Sequence, residues 1–171
     1  SAVEIGKWAF AYCMNLAEID LRTATKIGAM AFYCCKALTN VTIPSSVAAI
    51  EAAAFHCCEN LVDVELCEGI QRIGKHAFLE CNALVRISIP PSVTDIEFQA
   101  FRNCNRLADV ELNAGLQRIG AYALQGCASL ASISVPSTTL KVADHAFGGC
   151  SRLCHVELQE GLQVIGCRAF M

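Results

Sequence analysis

The chain is written as a repeat. An Ala-Phe pair recurs with its aromatic at Phe10, Phe32, Phe55, Phe78, Phe101, Phe147 and Phe170, and Leu124 takes the aromatic's place once. The spacing is 22 residues for the first interval and 23 for every later one. Three residues after each anchor comes a cysteine: Cys13, Cys35, Cys58, Cys81, Cys104, Cys127 and Cys150. Three further on comes a leucine, from Leu16 to Leu153, followed by alternating stretches such as Val64-Glu65-Leu66. Five residues before each anchor stands Ile5, Ile27, Ile50, Ile73, Ile96, Ile119, Val142 or Ile165. A period this short leaves few folds open. One copy cannot cover its own apolar faces, so neighbouring copies must stack on one another.

A second period overlies the first. IPSSV (43–47), IPPSV (89–93) and VPSTT (135–139) alternate with LCEGI (66–70), LNAGL (112–116) and LQEGL (158–162), so the duplicated unit is 46 residues. Proline fixes φ after one strand and glycine permits a turn after the next. The expected architecture is one α/β repeat solenoid of the leucine-rich-repeat type over residues 1–171, with about seven rungs. Short strands would form a parallel sheet on one face, and the AFxxC segments short helical turns on the other. The chain starts within VEIGKWAF and stops within QVIGCRAFM, so it is expected to be a segment of something longer, or to have its ends covered by partners.

The pattern IGxxAFxxCxxLxxIxIPxSVxxI resembles the leucine-rich repeats of the BspA-like type, found in bacterial and protist surface proteins. That resemblance implies protein binding or adhesion, a cell-surface or secreted setting, and no catalytic residues to carry over. Departures are few: the first interval is short through LRTATKIG, Leu124 replaces Phe, and Thr139 stands where a buried Val or Leu is expected. Each is expected to loosen its rung.

Composition narrows the function. A net charge of −3 supplies no basic excess to displace phosphate counterions, so nucleic acid is not an expected partner. Hydrophobic residues make up 54% of the chain and charged residues 17%, yet no apolar run approaches the ~20 residues of a membrane helix. The apolar excess belongs to a core. GxSxG, HExxH, P-loop and GxGxxG motifs are all missing, so no enzyme and no cofactor are expected.

Seven of the twelve cysteines share one repeat position among buried residues, which reads as a ladder of reduced thiols packed as small hydrophobes. Cys34 and Cys57 share another phase on neighbouring rungs. Stacking at ~4.7–4.9 Å falls inside the ~4.4–6.8 Å Cα window of a disulfide, so this pair is the candidate staple in an oxidising compartment. HCCENLVDVEL (56–66) invites a metal reading. Against it, His56 and Cys57 are adjacent and would point apart on a strand or helical turn, and Asp63 and Glu65 lie on the strand side. No metal site is expected.

Strand residues alternate in direction, so the outward ones form two columns. One reads Glu18, Asn40, Asp63, Arg86, Asp109, Ser132, His155; the other reads Asp20, Thr42, Glu65, Ser88, Glu111, Ser134, Glu157. Acidic residues stand mostly on alternate rungs, ~10 Å apart, about one Debye length at 0.1 M salt. The partner-binding candidates are Glu18, Asp20, Asp63, Glu65, Arg86, Asp109, Glu111, His155 and Glu157, facing a basic or amine-bearing protein. The alternative function is an architectural subunit lodged in a large multiprotein assembly, with an organelle as the alternative setting. Neither column carries an aromatic on which a sugar could stack. Lys26, Arg72, Lys75, Arg118 and Arg168 are placed in turns before the anchors. His76, His145 and Trp8 share one phase, the histidines half-exposed. Asn40-Val41-Thr42 matches the glycosylation sequon by chance.

Overall fold

Each repeat has to give its backbone hydrogen bonds to the copies before and after it, and this shapes every segment of the rung. The computed structural model describes residues 2–171, which form a parallel β-solenoid of about seven turns. Its strands, β1 to β14 in chain order, come two to a rung after the first turn. One set follows the buried leucine: β3 (Asn40–Ile43), β5 (Asp63–Leu66), β7 (Arg86–Ile89), β9 (Asp109–Leu112), β11 (Ser132–Val135) and β13 (His155–Leu158). The other set ends in the isoleucine or valine before each anchor: β1 (Val3–Ile5), β2 (Ala24–Ile27), β4 (Ala49–Ile50), β6 (Arg72–Ile73), β8 (Asp95–Ile96), β10 (Arg118–Ile119), β12 (Lys141–Val142) and β14 (Val164–Ile165).

The expectation of one sheet on one face is corrected here. The second set forms a continuous eight-stranded sheet, and the first set forms three separate two-stranded ladders: β3–β5, β7–β9 and β11–β13. The breaks follow the 46-residue period. Cys67 N–H donates to the Ile43 carbonyl and Gln159 N–H to that of Val135, closing the ends of two ladders. At the equivalent places for joining β5 to β7 and β9 to β11 stand Pro90 and Pro136, which have no N–H to give. Lys26, Arg72 and Arg118 lie in the continuous sheet rather than in turns, paired with Glu4, with Glu51 and Glu97, and with Asp95 respectively.

The helical turns are also corrected: the described residues contain no helix. The apolar spacing around Ala-Phe imitates a helical face, but a helix satisfies its own backbone and would leave the neighbouring rungs unbonded. Two residues of each turn are instead left-handed. Trp8, Met30, Ala53, His76, Gln99, Tyr122, His145 and Arg168 form one such column, and Tyr12, Cys34, Cys57, Glu80 and Asn103 another, with φ between 53° and 63°. This conformation alternates the N–H directions. Cys57 N–H donates across to Leu79 O at 2.9 Å, while the next N–H, of Cys58, turns back to Phe55 O at 3.2 Å.

Alternation along the leucine-side strands holds, with β3, β7, β9 and β11 each reading exposed, buried, exposed, buried. Inside, the anchor rings stack face to face. Phe10, Phe32, Phe55, Phe78 and Phe101 follow one another at 5.1–5.4 Å between centroids, with interplanar angles of 1–7°. Leu124 fills the next place, fully buried. Thr139 is fully buried too, and its hydroxyl donates to Leu116 O at 3.0 Å, which settles the polar group in its apolar slot. The short first interval shows as a register slip between Val3 and Glu4, and residues 17–20 form no strand. In the last turn the inward-pattern residues Val156, Leu158 and Ile165 are exposed.

The cysteine ladder does more than fill space. Each thiol from Cys35 to Cys150 donates to the anchor carbonyl of the preceding rung, as Cys81 does to Phe55 O and Cys104 to Phe78 O, both at 3.2 Å. Burial pushes the Cys104 thiol up to about 12 and holds Cys81 and Cys127 well above the ordinary value for a thiol. In the unfolded chain these thiols ionise near ~8.5, so above that pH the unfolded state binds fewer protons than the folded one. Stability is therefore complete below about pH 8 and falls as pH rises through the unfolded pKa, by up to ~1.4 kcal/mol per pH unit for each such thiol. Urea midpoints followed from neutral pH into this range check it, and a flat profile refutes it. In the folded protein at neutral pH, a thiol reagent is expected to react first with exposed Cys13, Cys154 and Cys167.

Candidate functional site

The exposed side of the leucine-set strands is where the two outward columns meet solvent. Asn40, Asp63, Arg86, Asp109, Ser132 and His155 are exposed, as are Thr42, Glu65, Ser88, Glu111, Ser134 and Glu157. Parallel register sets them side by side: Asn40 against Asp63, Arg86 against Asp109, Ser134 against Glu157. Glu18 and Asp20 are exposed but stand on no strand, because the short first turn does not form one. Asp20 is also engaged. Its carboxylate takes the guanidinium of Arg22 at 2.6–3.0 Å, and that bond holds its pKa down at about 2. The columns proper therefore begin at Asn40.

At the middle of the face lies a shallow depression of about 450 Å³, walled by Asp63, Glu65, Arg86, Ser88, Asp109 and Glu111. Four carboxylates surround one guanidinium. Arg86 Nε is 4.0 Å from Asp63 Oδ1, with both side chains well exposed, so the pair neutralises little. In two of the three ladders a hydroxyl on the Pro-type rung donates to the glutamate of the next rung: Thr42 to Glu65 Oε2 at 2.9 Å, and Ser88 to Glu111 Oε2 at 2.8 Å. These bonds aim the carboxylates without discharging them. His155 and Glu157 sit on β13, in the next ladder, outside the depression.

On the turn side, His56 and Cys57 do not diverge as a strand or helical turn would require. Cys57 has φ 57°, and its ligating atom, that of His56 and that of Glu80 all lie within 4.8 Å of one another. Cys57 donates to Glu80 Oε2 at 3.2 Å, and His56 Nε2 is 3.9 Å from the same oxygen. Burial first, then the bond to Glu80, pushes the Cys57 thiol up to about 12. Burial lowers the pKa of His56, with the Glu80 charge acting the other way. Asp63 and Glu65 stay on the strand face, as the alternation implied. Glu80 went unread in the sequence, although it stands 23 residues after Cys57, at the same repeat position. Cys34 and Cys57 are both free thiols.

Two strands per rung, an aromatic stack and all-parallel pairing define a β-solenoid of the leucine-rich-repeat class. The family model described as BspA type leucine rich repeat region matches residues 1–97 and 76–171 in 6 copies, and the chain belongs to that family. No curated protein matches it. Among solved structures, it is similar to the T. pallidum leucine rich repeat protein at 35% identity, covering 82% of this chain and 66% of that one, with a TM-score of 0.74. A leucine-rich repeat protein from Bacteroides ovatus is 28% identical over 81% of this chain and 42% of its own, with a TM-score of 0.62. One from Eubacterium ventriosum, at 23% identity and a TM-score of 0.73 over 87% of this chain and 43% of its own, shares the fold. The chain thus spans less than two thirds of the length of each of these three. Membership in a leucine-rich-repeat family points to a protein-interaction role. Among the described residues no helix is long and apolar enough to cross a membrane.

Proposed function

We propose that the chain is a binding module rather than an enzyme, and that it takes a lysine- or arginine-bearing segment of a partner protein on its acidic strand face, as in recognition or adhesion at a cell surface. The observation that supports this is the central depression, where Asp63, Glu65, Asp109 and Glu111 surround a single Arg86. Charge of one sign gathered in a concavity attracts the opposite sign and raises the rate of encounter. Exposed carboxylates already held by Thr42 and Ser88 lose little freedom when a partner's ammonium arrives.

The test reverses the charge without touching the inward residues. A variant with Asp63→Lys, Glu65→Lys, Asp109→Lys and Glu111→Lys, all exposed positions, is compared with the unaltered chain on immobilised lysine-rich and glutamate-rich peptides. The unaltered chain is expected to prefer the lysine-rich peptide, with affinity falling as salt rises. The variant should lose that binding by at least ~10-fold, ~1.4 kcal/mol, and turn to the acidic peptide. Equal binding by the two proteins would refute the acidic face as the site.

A further inference from the structure

We propose that His56, Cys57 and Glu80 form a binding site for a borderline divalent transition metal, zinc(II) foremost, that clamps two neighbouring rungs together. The donors are of three kinds, an imidazole nitrogen, a thiol sulfur and a carboxylate oxygen, and all three ligating atoms lie within 4.8 Å. Around a tetrahedral zinc ion with bonds of ~2.0–2.3 Å, ligand atoms stand ~3.3–3.6 Å apart. The Cys57–Glu80 separation is 3.2 Å and the His56–Glu80 separation 3.9 Å, and His56 and Cys57 lie within 4.8 Å of each other, so the ion is seated by drawing the His56 ring in toward the other two ligands.

The chemistry selects the metal. One carboxylate is too few oxygens for calcium, and magnesium prefers water and carboxylates, whereas sulfur and imidazole together suit zinc, cobalt and their neighbours. The charges also close. A neutral imidazole, a thiolate and a carboxylate carry −2 between them, so the bound ion leaves no net charge in a half-buried pocket. Cys57 now donates its thiol proton toward Glu80 Oε2, and the metal takes that proton's place: the S–H bond breaks, a sulfur–metal bond forms, and the proton passes to solvent. Lys36, the cation nearby, is occupied by Glu59 at 2.8 Å.

The site is held before any ion arrives. Cys34 N–H donates to His56 O at 2.8 Å, Cys57 N–H to Leu79 O at 2.9 Å and Glu80 N–H to Arg102 O at 2.9 Å, so the backbone under each ligand is bonded between rungs. Tyr33 packs edge-on against the His56 ring, with centroids 4.9 Å apart, which limits how the imidazole turns. Side chain His56 is 20% exposed and Glu80 45%, so an ion can enter from solvent. The ladder carries this donor set once, because the next residue at the Cys57 phase after Glu80 is Asn103 and at the His56 phase Leu79.

Cobalt(II) is the probe, because its colour reports sulfur ligation and tetrahedral geometry. Titrated into the whole chain kept reduced with a phosphine, it should give a near-ultraviolet thiolate-to-cobalt band and intense visible bands that saturate at one equivalent. One equivalent of zinc should then abolish them, and zinc should raise the thermal unfolding midpoint. Cys57→Ser is expected to remove the ultraviolet band, and His56→Ala and Glu80→Gln each to weaken binding by at least ~10-fold. Far-ultraviolet circular dichroism establishes that each variant is folded. The proposal is overturned if no band forms, or if the band survives Cys57→Ser but vanishes with Cys34→Ser. It is overturned equally if uptake of several equivalents is unaffected by all three variants, which assigns the metal to exposed Cys13, Cys154 and Cys167.

Discussion

Replacing Phe78 with alanine is expected to remove ~3–5 kcal/mol of folding free energy, the range found when a buried aromatic is truncated and its cavity does not collapse. Phe78 is fully buried, with Phe55 stacked 5.4 Å away on one side and Phe101 5.2 Å away on the other. The loss is a large part of the ~5–15 kcal/mol by which ordinary domains are stable. In a solenoid each rung is supported by its two neighbours, so a defect at the centre weakens both interfaces at once. Urea unfolding should therefore show a lower midpoint and a shallower transition, as the two halves begin to unfold separately. Phe78→Leu is the informative partner. Leu124 fills the same slot unaided, fully buried, so leucine at Phe78 should cost under ~1.5 kcal/mol. Equal losses from alanine and leucine would mean that ring stacking, and not filled volume, carries the column.

The rung was legible because the same residues recur at the same phase. Inward Leu38, Val41, Ile43, Val47 and Ile50 are buried as their alternation required. Outward Asp63, Glu65, Asp109 and Glu111 meet in one depression. What misled was the segment Ala-Phe-x-x-Cys, whose buried positions have helical spacing while its backbone is turned outward to the neighbouring rungs. A side-chain pattern records what faces the core. It does not record whether an N–H is satisfied four residues back or one rung away. The second strand was missed for a related reason: two residues such as Ala49-Ile50 are too short to alternate, and only stacking eight copies makes them a sheet. Asp20 was counted in a column that the short first turn does not build, and its bond to Arg22 is a local accident of that turn. Left-handed Cys57 had no signature at all, since cysteine is not a residue that seeks positive φ.

The same reasoning makes Gly115→Ala the most crowded of the glycine-to-alanine substitutions. Gly115 lies in the LNAGL link at φ 130°, which side-chain-bearing residues rarely adopt, and a strained backbone of this kind costs ~1–3 kcal/mol. A methyl group there would also land on the carbonyl oxygen of Pro91 in the preceding link. That oxygen cannot yield easily, because it is backbone, and Gly115 is held from the other side by the Thr138 hydroxyl, which accepts its N–H at 3.0 Å. Gly69 stands over Ser45 O and Gly161 over Ser137 O in the same way. Each glycine link is thus seated on the preceding proline-type link, and the 46-residue period is a packing unit as well as a duplication. The expected cost is ~3–5 kcal/mol, strain and overlap together, read as a lowered urea midpoint. Gly6→Ala is the control. No atom lies within 4 Å of its added methyl, so it should change stability by less than ~0.5 kcal/mol. If Gly115→Ala matched that control, the links could move apart freely, and the alternation of proline and glycine would have to be explained by turn geometry within a single rung.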